Sequence, residues 1–321
     1  PAAPNATAPA TSVAAATEPV ATAAKPAATE HTQGLAFPHE AFRAQQPPAA
    51  PAHAFSPPAV VTFSLSNGLE VYLVERHQLP TIALQWVFPG GSGDDVPGKE
   101  GTAALCLNLL DDGTEALDKI AFGERVADLG SVLAAAAALD QQTLTANTLR
   151  KNLDATLDLL AETIVHPGLR SSDHDRNIAT ETATLRQAKG TPATLSRRLL
   201  GPVFYGDHSP AAKVATESSL HAVTAADCRA HLAAFLKPKG AKLFVAGDIT
   251  RAEIEAKLGQ RLGTWQGTSQ RGLPVTELQP RQGRLFFADV PGAAQSVIML
   301  AHPGPRRQAA DYYPPRIMMD V

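Results

Sequence analysis

From about residue 60 the chain alternates apolar and polar positions in short bursts, then switches to helical spacing, and the switch points divide it into elements. Val61-Thr62-Phe63-Ser64-Leu65 alternates, Ser66-Asn67-Gly68 carries turn residues, and Leu69 to Glu75 alternates again, which predicts a hairpin. Thr81 to Phe88 reads as a third strand closed by Pro89-Gly90-Gly91-Ser92-Gly93. Residues 101–111 and Lys119–Leu129 carry the apolar spacing of helices, and Gly130 stops the second. Ser131–Ala138 with Gln141–Thr148 predicts another hairpin, and Leu149–Val165 an amphipathic helix ended by His166-Pro167. Ser172–Lys189 reads as a long helix with Ser171 or Ser172 as its N-cap and Asp173 and Asp175 in its first turn. Thr224-Ala225-Ala226-Asp227 has the capping-box spacing that opens a helix, Ala241–Gly247 reads as a strand, and Thr250–Leu262 as a helix. Antiparallel hairpins mixed with helices give the α+β class.

The two ends of the chain change this picture. Residues 1–57 are rich in Ala, Pro and Thr with almost nothing aliphatic to bury, so they read as a disordered linker, with Ala36 to Arg43 as an island containing two aromatics. Residues 58–268 make the first domain. Pro274 to Pro280 reads as a connector, after which Arg284–Val290 and Gln295–His302 are expected to be strands and Tyr312–Val321 to open a helix. Residues 269–321 therefore read as the start of a second, truncated domain. The chain opens on Pro1 rather than Met, as a processed or excised segment does.

Composition narrows the function. A net charge of -3 across 321 residues gives no basic footprint, so nucleic acid is not an expected partner. No apolar run reaches the roughly 20 residues of a membrane-spanning helix. Cys106 and Cys228 fall in predicted helices and read as buried free thiols. Gly93 to Glu100 comes close to a phosphate-binding loop, but Glu100 stands where a hydroxyl is needed and Asp94 and Asp95 would repel phosphate. The ten histidines form no short ligand cluster, no Ser or Cys lies in a nucleophile elbow, and Asp111-Asp112 reads as a solvated loop start.

Residues 98–114 are the most informative stretch. Gly101-Thr102-Ala103 and Gly113-Thr114 frame a helix in the manner of the metal helix of the pitrilysin/insulinase family of zinc metallopeptidases, which the chain resembles. Further stations follow in order: Leu65-Ser66-Asn67-Gly68-Leu69, Gly91 to Asp95 with Gly98 to Gly101, Tyr205-Gly206-Asp207-His208, Leu220 to Thr224, and Leu243 to Thr250. The family motif is His-x-x-Glu-His, in which two imidazoles on one helix face grip zinc and a carboxylate activates its water. Here those positions hold Ala104, Leu107 and Asn108. The third ligand of the family falls, by its offset from Asp175-Arg176, at Thr182, with the adjacent Glu181 about 100° away around the helix.

The resemblance implies a mainly antiparallel sheet with helices packed on one face and a protein without zinc or peptidase activity of its own. It implies a non-catalytic subunit or half of a peptidase assembly, forming part of a chamber and helping to bind peptide, with a metal-bearing homologue as partner in a heterodimer. Zinc is expected only in that partner. A structural assembly protein with no part in proteolysis is the alternative. A periplasmic or secreted location is expected, with the linker able to act as a membrane tether. Leu133, Ala134, Ala135 and Ala136 are the expected substrate-binding residues, because the family's matching strand lies along the chamber and small side chains leave room for a peptide to add as an extra strand. The same small residues also suit close packing of a helix above them.

Overall fold

The computed structural model describes residues 56–206, 209–270 and 283–319. The linker expected over 1–57, its aromatic island, the connector 274–280, and Asp207-His208 lie outside those residues, Ser56 and Pro57 excepted. One six-stranded sheet organises the rest: β1 (Val61–Ser64), β2 (Glu70–Glu75), β3 (Thr81–Pro89), β4 (Val132–Ala137), β5 (Gln141–Leu149) and β6 (Lys242–Gly247). The strands lie in the order β1-β2-β6-β3-β5-β4, antiparallel throughout except for β2 against β6. The first turn is held by its asparagine. Asn67 accepts the Leu69 amide at 3.1 Å and donates to the Leu262 carbonyl at 2.9 Å, tying the hairpin to the end of a distant helix.

Helices cover one face. Alternation along β3 turns Ile82, Leu84, Trp86 and Phe88 inward, and all four are buried against helices α1 (Thr102–Asn108), α3 (Leu153–Val165), α7 (Ala225–Phe235) and α8 (Arg251–Leu262) in a single core. Burying side chains of this size stabilises by about 1.5–3 kcal/mol each. The expected capping box is present: Thr224 accepts the Asp227 amide, and Asp227 accepts that of Thr224. Helix α2 (Lys119–Asp128) packs with Leu129 and Leu159 in a small satellite cluster. Helix α4 (Ser171–Lys189) runs beside α1, but its N-cap is Arg170, which makes no side-chain capping bond, so neither serine caps it.

The structure corrects the sequence reading at several places. Helices α5 (Pro192–Tyr205) and α6 (Glu217–Ala222) were not predicted; Pro202 inside α5 obscures a helix that Pro192 opens at its first turn. Cys106 and Cys228 are not free thiols but form a disulfide between α1 and α7 across 122 residues of sequence. Residues 284–290 and 295–302 pair with no strand among the described residues, and Leu285, Phe287, Ile298 and Leu300 are exposed. A strand needs a neighbour to satisfy its amides and cover its apolar face, and none lies beside these among the described residues. Helix α9 (Tyr313–Met319) forms as expected.

Candidate functional site

The site is built around α1. Gly101 opens it at φ 104°, a left-handed conformation, and a β-carbon there would sit 2.6 Å from Leu220 Cδ2. Gly113 closes the 3-10 turn that continues it, at φ 122°, where a β-carbon would meet the Leu117 carbonyl at 2.4 Å. Asp95 clamps the first turn, accepting the amides of Gly101 at 2.7 Å and Ala103 at 2.9 Å. Burial raises the Asp95 carboxyl to about 6 even so, against these two bonds and the nearby Lys213. Lys99 meets Asp227 at 2.7 Å, and the Cys106–Cys228 bridge lies one residue further along α7, so α1 is pinned to α7 once through its lead-in and once from within the helix. The Lys99 ammonium and the Thr224 hydroxyl hold the Asp227 carboxyl down, at about 2.

At the chemical positions, Leu107 is fully buried, Ala104 is half-buried, and the Asn108 amide donates to Glu181 Oε1 at 3.4 Å. Glu181, one residue before the position given by the family offset, is thus the α4 side chain that faces this point. Thr182 turns into the core, its hydroxyl buried without a partner among the described residues.

Beyond α1, the 3-10 turn Leu109–Asp112 carries two carboxylates that are not a solvated loop start. Asp112 is buried and surrounded: Lys119 bonds one oxygen, while Asn177 and Arg176 each reach the other at 2.9 Å. Asp111 takes the Ala135 amide on β4 at 3.2 Å, and its second oxygen is buried with no partner among the described residues. Desolvation raises the Asp111 carboxyl to about 6; the bond to Ala135 and the charge of Lys119 act against this, and Asp112 adds to it.

Strand β4 is an edge of the sheet. The Ala138 amide bonds the Gln141 carbonyl, so the alternation of an antiparallel ladder turns the amides of Leu133, Ala135 and Ala137 outward, away from β5. The side chains of those same three residues pack against the core, which accounts for their size, while Ala134 and Ala136 are exposed on the opposite face. Of the four predicted site residues, then, Leu133 and Ala135 present backbone at the open edge, and Ala134 and Ala136 do not. The sequence reading placed Asp111 in a solvated loop start and gave it no role; its place inside the glycine frame, just before Gly113-Thr114, is the one signal that could have marked it.

The fold is that of a peptidase-like α+β protein, with an edge strand beside a helix framed by glycines, one of them the left-handed N-cap. Residues 70–208 match the model of the insulinase family (peptidase family M16), and residues 222–321 match that of the M16 inactive domain. The chain belongs to the pitrilysin/insulinase family of zinc metallopeptidases, and is a member without the His-x-x-Glu-His motif. It is 22% identical over 223 residues to the zinc protease PqqE of Helicobacter pylori, which covers 68% of this chain; the chain spans half the length of that curated relative. Its fold is similar to the crystal structure of a peptidase M16 inactive domain from Pseudomonas fluorescens (TM-score 0.63, 24% identity, 69% of this chain and 54% of that one). It is similar also to the periplasmic protease PqqL of Escherichia coli (TM-score 0.61, 16% identity, 70% of this chain and 26% of that one).

The family implies zinc, and the donor set here does not fit it. A catalytic zinc needs three protein ligands. The α1–α4 point offers one carboxylate, Glu181, already bonded to an amide, opposite a leucine and an alanine. No group of three or more His, Cys, Asp or Glu arranged to hold a metal occurs among the described residues.

Proposed function

We propose that the chain is a non-catalytic half of a zinc-peptidase assembly, in which it forms part of a closed chamber and offers an edge strand to peptide while a homologue carrying His-x-x-Glu-His supplies the metal. The observation that carries this reading is the contrast within α1: the glycine, Asp95 and α7 contacts that position a metal helix are in place, and the ligands are not. Residues 58–268 are the first peptidase-like domain, and 269–321 begin a second. A periplasmic or secreted location belongs to the same reading; it is supported by the Cys106–Cys228 bridge, since such bonds persist in oxidising compartments.

Co-purification and a peptidase assay, with this chain and a metal-bearing homologue each alone and mixed, test the proposal. The mixture is expected to migrate as a complex and to cleave peptide faster than the homologue alone. If mixing changes neither migration nor rate, the partner reading fails and a structural role without proteolysis replaces it.

A further inference from the structure

The edge of β4 is not simply open. A strand adding to it would use the outward amides of Leu133, Ala135 and Ala137, and the middle one already has an acceptor, Asp111 Oδ2 at 3.2 Å. Charged side chains laid on an edge are a common defence against unwanted strand pairing. This one is unusual in being half-buried with no side chain among the described residues bonded to it. Its other oxygen has no partner among the described residues, and the basic side chains of this region are engaged elsewhere, Lys119 with Asp112 and Arg176 with Asp112 and Asp173.

A neutral strand that took the Ala135 amide would leave this carboxylate with no partner on either oxygen in a poorly solvated place, which is costly. A strand bringing a cation would replace the lost bond with a charge-assisted one. We propose that Asp111 is a selector at the β4 edge, holding the Ala135 amide closed to neutral strands and yielding it to an extended peptide that brings a cationic group, a Lys or Arg side chain or a free amino terminus, to the carboxylate. The proposal rests on the reading of β4 as a peptide-binding edge and names the class of peptide that edge accepts.

Fluorescence anisotropy with labelled nonapeptides of alternating Thr and Val tests it on the whole chain. Three probes are N-acetylated with Lys, Met or Glu at the centre, and a fourth has central Met and a free amino terminus. Wild type should bind the Lys probe about tenfold more tightly than the Met probe, the value of one charge-assisted bond, and the Glu probe most weakly. The fourth probe tells a side-chain cation from a terminal one.

Asp111→Ala frees the amide and should bind the Met probe at least as well as wild type binds the Lys probe, with no preference for Lys. Asp111→Asn keeps an acceptor without the charge, and should bind both weakly and equally. Melting curves and an intact Cys106–Cys228 bridge establish that the variants fold. Equal binding of Lys and Met probes by wild type would overturn the selector while leaving the edge reading in place. If no probe binds wild type or either variant, and amide exchange at Leu133, Ala135 and Ala137 does not change, the edge reading falls and the selector with it. An Asp111→Ala protein that sediments as a dimer and ignores every probe would assign the edge to a second copy of this chain instead.

Discussion

Two points a few residues apart, one on α1 and one in the turn that follows it, have opposite characters. At Ala104, Leu107 and Asn108 the helix has exchanged metal chemistry for packing, with a fully buried leucine where a carboxylate would activate water. At Asp111, just past the helix end, a carboxylate is half-buried against the open edge of the sheet, where an apolar residue would pack more cheaply. The first point resembles a core and the second resembles a site. The helix frame serves both: Gly101, Gly113 and Asp95 are demanded by backbone conformation and amide satisfaction whether or not metal is present, so the frame does not depend on metal ligands.

The largest effect should come from putting the chemistry back alone. Leu107→Glu buries a carboxylate with no metal to pair it, and should cost about 3 kcal/mol or more without creating activity. An unchanged melting temperature would mean that this face of α1 is open to water and that the contrast with Asp111 is false. Next, the Cys106→Ala/Cys228→Ala pair should lower stability by about 2–5 kcal/mol in denaturant titrations, as removing a native bridge does, and a reductant should lower wild type to match. If reductant leaves the wild-type midpoint in place, α1 is held by packing alone.

Two groups give opposite pH slopes. Burial raises the folded-state pKa of Asp111 to about 6, so its contribution to folding is greatest below about 4 and is lost as pH rises through 6. Asp111→Asn should therefore gain about 1–3 kcal/mol on wild type near pH 7.5, and the gap should close by about pH 4. His231, bonded to Gln142 at 2.8 Å, is held neutral by burial, its pKa lowered to about 4. Its contribution is fully present above about 6.5 and lost as pH falls towards 4, so His231→Gln should flatten the acid side of the stability curve. A gap for Asp111→Asn that does not vary with pH would show the carboxylate to be solvated. The smallest effect belongs to Asn108→Ala, which removes one long bond to Glu181 and should cost less than about 1 kcal/mol in a chemical melt. A loss of 2 kcal/mol or more would mean that Asn108 holds something other than Glu181.

Local signals made much of this legible. The Asn67 turn, the Thr224 capping box and the alternation of β3 are written within a few residues of themselves, and each forms as the sequence predicts. What could not be read depends on partners far along the chain. Cys228 meets Cys106 only because α7 packs on α1, and Asp111 is half-buried only because β4 passes beside it. The same limit explains residues 284–302, whose alternation matches that of β3 but which lack neighbouring strands among the described residues. Of the site, the missing ligands were plain in the sequence. Which α4 side chain faces them was not, because a single residue separates Glu181 at the Asn108 amide from Thr182 in the core.

Elemental analysis of the purified chain, after exposure to zinc and removal of loosely held metal, tests the central claim most directly. The account predicts no stoichiometric zinc and no chelator-sensitive cleavage of unstructured peptides by the chain alone. About one tightly held zinc per chain, the occupancy of a working peptidase site, would contradict it.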